Sequence, residues 1–189
     1  MLLGSLGVGV TMVPMSPMLG PGEVSRLLTL SQPRLVITTD DLVPVLTQAV
    51  SESGSSVDIV TVTDSSSSSA TPLSHFLDND GSSYDHRQEF DLDTTVGILP
   101  FSSGTTGLPK GVMLTHSNLT SGMVIAHNLQ SGCAYDSWNP ETDGPQKSVL
   151  SVIPMFHIFG LTMNLLSGLI LKKKLIIMPK FEPQAFISK

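Results

Sequence analysis

The residues best suited to chemistry fall within nine positions, from Ser102 to Lys110. Ser102, Ser103, Thr105 and Thr106 bring four hydroxyls that can donate to phosphate oxygens, and Lys110 brings a point positive charge. Gly104 and Gly107 let the chain turn tightly and bring backbone N–H groups close to an anion. An apolar run, Val96 to Phe101, leads in, and a β-prone run, Val112 to Thr115, leads out. Together these features describe a cradle for a polyphosphate. A plain flexible hairpin loop accounts for the glycines but leaves the hydroxyls and the lysine unexplained.

The familiar phosphate loop of nucleotide hydrolases reads G-x-x-x-x-G-K-[ST], with the last hydroxyl on magnesium and a helix following at once. Here Pro109 precedes the lysine and Gly111 follows it, and Val112-Met113-Leu114-Thr115 reads as strand. The cradle is of another kind. His157 is the second candidate. It follows an apolar stretch and Pro154, near the expected start of a helix, and strand-end loops of open α/β sheets are where ligands bind. A packed or capping histidine is the plainer reading of that position. His75, His86, His116 and His127 belong to no constellation.

The eighteen residues SSGTTGLPKGVMLTHSNL resemble the AMP-binding signature of the adenylate-forming superfamily, which includes acyl-CoA synthetases, coumarate–CoA ligases, firefly-type luciferases and peptide-synthetase adenylation domains. The stretch Val152 to Leu161 resembles the P-[LM]-F-H-x-x-G block that follows this signature, and Met178-Pro179-Lys180-Phe181 resembles a later stretch of the coumarate–CoA ligase-like group. Ser16-Pro17 and Glu23 resemble the family's N-P-x-x-x-x-x-E segment, with serine in the asparagine's place. The resemblance implies an α/β fold of mainly parallel sheet layers covered by helices. It places residues 1–189 in one partial AMP-binding N-terminal domain, with an acidic and Ser-rich loop over about 63–95.

By the same resemblance the expected function is that of an AMP-forming carboxylate–CoA ligase, using ATP, Mg2+ and CoA on a small-molecule carboxylic acid. Lys110 and His157 take catalytic roles; Ser102, Ser103, Gly104, Thr105, Thr106, Gly107 and Lys110 hold the ATP phosphates. Thr106 faces Mg2+, Lys180 contacts CoA, and His157 and Phe159 border the acyl pocket. Phe159 stands where coumarate ligases often carry tyrosine, which favours a more apolar or simply different acyl group. Family members extend beyond both ends of this chain, with a Y-G-x-T-E block, a ribose-binding aspartate, a hinge and a small C-terminal domain following. The expectation is a central fragment without turnover of its own; the alternative is a truncated, non-catalytic product that binds nucleotide or a partner. An intracellular site, cytoplasm or peroxisome, is implied.

Composition excludes other classes. A net charge of −6 without a basic stripe argues against nucleic acid as a partner. With 40% hydrophobic and 14% charged residues the chain can build a core rather than remain disordered. Cys133 stands alone, which rules out an intrachain disulfide framework and leaves no zinc-like spacing. Met1 to Val13 lacks the basic n-region of a signal peptide. Val149 to Leu171 is long enough to cross a bilayer, but Pro154, His157 and Asn164 favour a strand, a turn and a core helix.

The positioning elements follow from periodicity. We expect a helix over the first nine residues, a buried strand at Val10–Val13, and a helix from Glu23 to Leu30 with Val24, Leu27 and Leu28 inward. A strand at Arg34–Thr38, a helix capped by Thr39 or Asp40 and running to about Val50, and a strand at Val57–Val62 come next. The acidic stretch to Thr95 reads as a solvated loop. Thr115 is expected to cap a helix from His116 to about Gln130, buried through Met123, Val124, Ile125 and Leu129. Cys133 to Gln146 reads as loop, Ser148 to Ile153 as a buried strand, His157 to Leu171 as a helix, and Leu175 to Met178 as a last strand before a helix from Glu182.

Overall fold

The computed structural model describes residues 1–63, 70–78, 80–85, 89–102, 107–130, 144–178 and 181–187. The serine run, most of the Cys133–Gln146 loop, and Lys180 lie outside the described residues. In chain order the elements are α1 (Leu2–Gly7), α2 (Pro21–Ser31), β1 (Leu35–Thr38), α3 (Val43–Ser53), β2 (Asp58–Thr61), β3 (Thr71–Pro72), α4 (Ser74–Leu77), β4 (Val96–Ile98), β5 (Phe101–Ser102), β6 (Lys110–Gly111), β7 (Leu114–Thr115), α5 (His116–Gln130), β8 (Ser148–Ser151), a π-helical stretch (Gly160–Leu166) continuing into α6 (Ser167–Ile170), β9 (Lys174–Ile177) and α7 (Pro183–Ile187). They form two compact units, one of residues 16–89 and 101–111, the other of residues 1–15, 90–100 and 112–189.

The first unit is built on a parallel sheet in the order β1-β2-β3. Helix α2 packs against α3, and Val24, Leu27 and Leu28 bury the face their spacing requires, together with Val43, Leu46 and Ala49. The start of α2 is closed by Glu23, whose carboxylate accepts the Gly20 N–H at 2.9 Å, with Pro21 at the first helical position. Ser16 Oγ accepts the Met18 N–H at 3.2 Å, the turn-making bond an asparagine could also form. The expected cap at Thr39 or Asp40 is displaced. Residues Asp40–Leu42 form a 3-10 turn, and α3 proper starts at Val43 with Pro44 in its first turn.

The second unit has its core around Leu2, Ile98, Leu119, Leu161 and Leu166. Ile98 is fully buried, and β4 pairs antiparallel with β7 through a bulge between Val96 and Ile98. Strands β8 and β9 pair in parallel, Ser148 to Lys174 through Ser151 to Ile177. The expected strand at Val10–Val13 is reduced to one bridge, Met12 to Ile98, with Val10 exposed. The buried side of α5 also differs: Leu119, Met123 and Ala126 face inward at i, i+4 and i+7, while Val124 and Ile125 are more than half exposed. Met123, Val124 and Ile125 are consecutive and cannot share one helical stripe, and packing selects the set in register with Leu119; the Leu129 side chain lies outside the described residues.

The acidic approach to β4 is more than a solvated loop. Asp91 accepts the Asp93 N–H at 2.9 Å, Asp93 accepts the Ser117 hydroxyl, and Leu92 O accepts the Ser117 N–H at 2.9 Å. The Asp93 carboxylate thus sits at the start of α5, where helix-end N–H groups favour negative charge. Hydrogen bonds from the Asp93 N–H and Thr94 hold the Asp91 carboxyl below its ordinary value. The apolar run from Val149 to Leu171 divides into β8, a turn at Pro154 and the helical stretch, and among the described residues no helix is long and apolar enough to cross a membrane.

Candidate functional site

Within the first unit, β5 and β6 form the stem of the glycine- and hydroxyl-bearing loop. Phe101 pairs with Gly111 and Ser102 with Lys110, antiparallel. Directly opposed residues of such a pair share a face, so the Ser102 hydroxyl and the Lys110 side chain stand side by side, both exposed. Gly107 adopts φ +77°, which a side chain would strain, although nothing lies within 4 Å of the place a Cβ would take. Ser103, Gly104, Thr105 and Thr106 lie outside the described residues.

Of the outgoing strand expected over Val112–Thr115 only Leu114–Thr115 forms, and a separate short strand precedes it at Lys110–Gly111. β6 belongs to the stem and β7 to the core, with Val112 and Met113 exposed between them. On the opposite limb Leu99 and Pro100 separate β4 from β5, and Pro100 has no N–H to extend a ladder. Its carbonyl still accepts the Val112 N–H at 2.9 Å, so the limbs stay tied through the break.

After β7, Thr115 caps α5 as expected, and the cap is reciprocal. Asn118 N–H donates to Thr115 Oγ1 at 3.2 Å, and Thr115 N–H donates to Asn118 Oδ1 at 3.0 Å. Asn118 falls within the eighteen-residue signature, and its place three residues beyond a threonine cap is the signal that identifies this role.

Within the second unit, His157 is exposed at the end of a turn whose Pro154 carbonyl accepts its N–H at 3.1 Å. Its Nδ1 accepts the Phe159 N–H at 3.2 Å, so the ring caps the helical stretch that follows. An accepting Nδ1 assigns the hydrogen of the neutral ring to Nε2. Phe159 is 49% exposed beside it. The expected α-helix from His157 is π-helical over Gly160–Leu166, a form common at functional sites. Thr162 O accepts the Ser167 hydroxyl at 3.1 Å, and Asn164 Nδ2 donates to Ser151 Oγ at 2.8 Å, fixing the stretch to the end of β8. A Cβ at Gly160 would collide with the Pro154 carbonyl oxygen and approach the Ile153 carbonyl to 2.8 Å. That glycine allows the helix to pass directly over the turn bearing His157.

The family model for AMP-binding enzymes matches residues 1–188, and the chain belongs to that family. It is 32% identical over 189 residues to a 4-coumarate–CoA ligase of Vanilla planifolia, covering 98% of this chain and 32% of that protein. Among solved structures it is similar to a red-emitting luciferase of Phrixothrix hirtus (TM-score 0.79, 24% identity, 99% of this chain and 44% of that one) and to ATP-bound MatB of Rhodopseudomonas palustris (TM-score 0.70, 19% identity, 99% and 34%). The two structural likenesses establish the α/β fold. The chain spans about a third of the length of the curated relative.

Proposed function

We propose that this chain supplies the ATP-phosphate loop and the acyl-site histidine of an AMP-forming carboxylate–CoA ligase. The observation that carries the reading is the register of Ser102 opposite Lys110, which stations a hydroxyl and a cation together at the base of the loop. In the proposed reaction a carboxylate oxygen attacks the α-phosphorus of ATP, the bond to pyrophosphate breaks, and an acyl-adenylate forms. The CoA thiol then attacks the acyl carbon, losing its proton, and AMP leaves. Negative charge gathers on the phosphates in the first transition state, and donors already in place stabilise it without reorganising.

Lys110, Ser102, Ser103, Thr105 and Thr106 are the proposed donors, with Gly104 and Gly107 admitting the backbone. Mg2+, when bound with ATP, supplies further neutralisation. Thr106 and the phosphates themselves are its proposed ligands. His157 donates from Nε2 at the acyl site, Phe159 offers it an apolar wall, and Lys180 is the proposed CoA contact. The acyl group proposed is one without need of a phenol-binding hydroxyl at position 159. Cytoplasm and peroxisome are both compatible with this chemistry.

Calorimetric titration of MgATP into the purified chain tests the reading, beside a Lys110→Ala/Thr106→Ala double variant. Binding that the double variant loses supports it; a well-folded chain with no MgATP binding overturns it for residues 1–189. Thioester formation by this chain alone is not expected, and CoA-thiol consumption above background would refute that part. A second reading, binding without turnover, is favoured by the exposed apolar residues Ile177, Phe181, Phe186 and Ile187. Concentration-dependent self-association in sedimentation velocity is its expected signature.

A further inference from the structure

In the first unit a groove of about 400 Å³ separates the exposed face of α2 from Leu108 and Pro109, the limb of the loop that leads into Lys110. Its size is within the range of small-molecule sites. Gly22, Ser25, Arg26 and Thr29 line its helical wall, spaced so that they share one side of α2. We propose that this groove is a phosphate subsite, with the Arg26 guanidinium as its cation and the Ser25 hydroxyl as a second donor. The proposal rests on the polyphosphate reading of the loop and extends it to a residue outside the signature.

Three observations carry it. Arg26 is exposed, and among the described residues it makes no ion pair. Two carboxylates of the α2–α3 pair are engaged elsewhere, Glu23 with the Gly20 N–H and Glu52 with the Gln48 amide at 2.8 Å. Arg26 is also one of only three arginines in a chain of net charge −6, and it lines the one wall that faces the residue before Lys110. A guanidinium presents a planar fork suited to phosphate oxygens, and hydrogen bonds between charged partners are the stronger kind. Thr29 is a poorer donor, because its hydroxyl already donates to the Ser25 carbonyl at 3.0 Å. Leu108 and Pro109 form the opposite wall with apolar surface.

The phosphate could belong to the tail of ATP or to CoA, and the probes distinguish them. The full chain is titrated with MgATP, AMP, inorganic pyrophosphate, CoA and dephospho-CoA, as wild type and as Arg26→Ala, Arg26→Glu, Lys110→Ala and Arg34→Ala. Circular dichroism checks that the exposed substitutions leave the fold unchanged. We expect Arg26→Ala to weaken MgATP and pyrophosphate about tenfold, Arg26→Glu to weaken them more, and Arg34→Ala to leave them unchanged, with AMP little affected. A loss confined to CoA, absent with dephospho-CoA, supports the subsite and assigns it to the 3′-phosphate. If Lys110→Ala loses MgATP while Arg26→Ala and Arg26→Glu bind every probe like wild type, the subsite is overturned and the loop reading stands. If wild type binds pyrophosphate in an Arg26-dependent way but no MgATP, the loop reading falls and the subsite stands. Absence of binding by any probe overturns both.

Discussion

The stem of the glycine- and hydroxyl-bearing loop and the turn bearing His157 solve opposite problems. In the stem the side chains are the instruments: Ser102 and Lys110 are exposed and opposed across a two-residue ladder. Around His157 the backbone is the instrument. The ring's Nδ1 is occupied by the Phe159 N–H, and the helix behind it lies on the Pro154 carbonyl because Gly160 has no side chain. A site made of exposed side chains can lose function while keeping its fold. One made of backbone contacts loses both together.

Two glycines sharpen this contrast most. Gly160→Ala drives a Cβ into backbone that cannot move aside, and we expect a loss of about 3 kcal/mol by urea denaturation, with His157 displaced as well. Gly107→Ala meets no atom within 4 Å and suffers only from its positive φ, so a loss of about 1 kcal/mol is expected. Equal costs at the two positions would break the comparison. Thr115→Ala removes one half of the reciprocal cap that links the loop's exit to α5. It should cost about 1 kcal/mol, and Asn118→Ala a similar amount, with the double variant costing less than their sum.

The smallest effects lie at the end of α6. There the Lys173 N–H reaches the Gly168 carbonyl at 2.8 Å and the Lys172 N–H the Leu169 carbonyl at 3.1 Å, a helix stop with Lys172 at φ +50°. Lys172→Gly should therefore raise stability by a few tenths to about 1 kcal/mol in the same assay. Burial, and then the charge of Lys147, push the Lys173 ammonium below its ordinary value. The unfolded chain then binds more protons here, so stability should rise with pH between the lowered folded value and 10.5, and Lys173→Met should flatten that rise.

How much could be read beforehand follows the same division. Local patterns were legible: the family signature, the Thr115 cap and the inward set Val24, Leu27 and Leu28. What depended on distant backbone was not. Val10–Val13 has the composition of a strand, but only Met12 finds a partner, in Ile98. Val124 and Ile125 are apolar enough for a core, yet Leu119 sets the register of α5 and turns them outward. The π-helical stretch had no signal, because its geometry answers to the Pro154 turn and the Asn164–Ser151 bond, thirteen residues apart in sequence. Arg26 was overlooked for the same reason, since only the folded unit brings α2 beside Pro109.

Gly160 has a genetic consequence as well. Every missense change of a glycine codon adds a Cβ, so no missense variant at this position escapes the Pro154 carbonyl. A saturation screen scored on MgATP binding would rank Gly160 with the residues proposed to hold phosphate. Scored on protein abundance, the two should separate: variants at Gly160 disappear from the cell, while variants at Lys110 accumulate as folded protein.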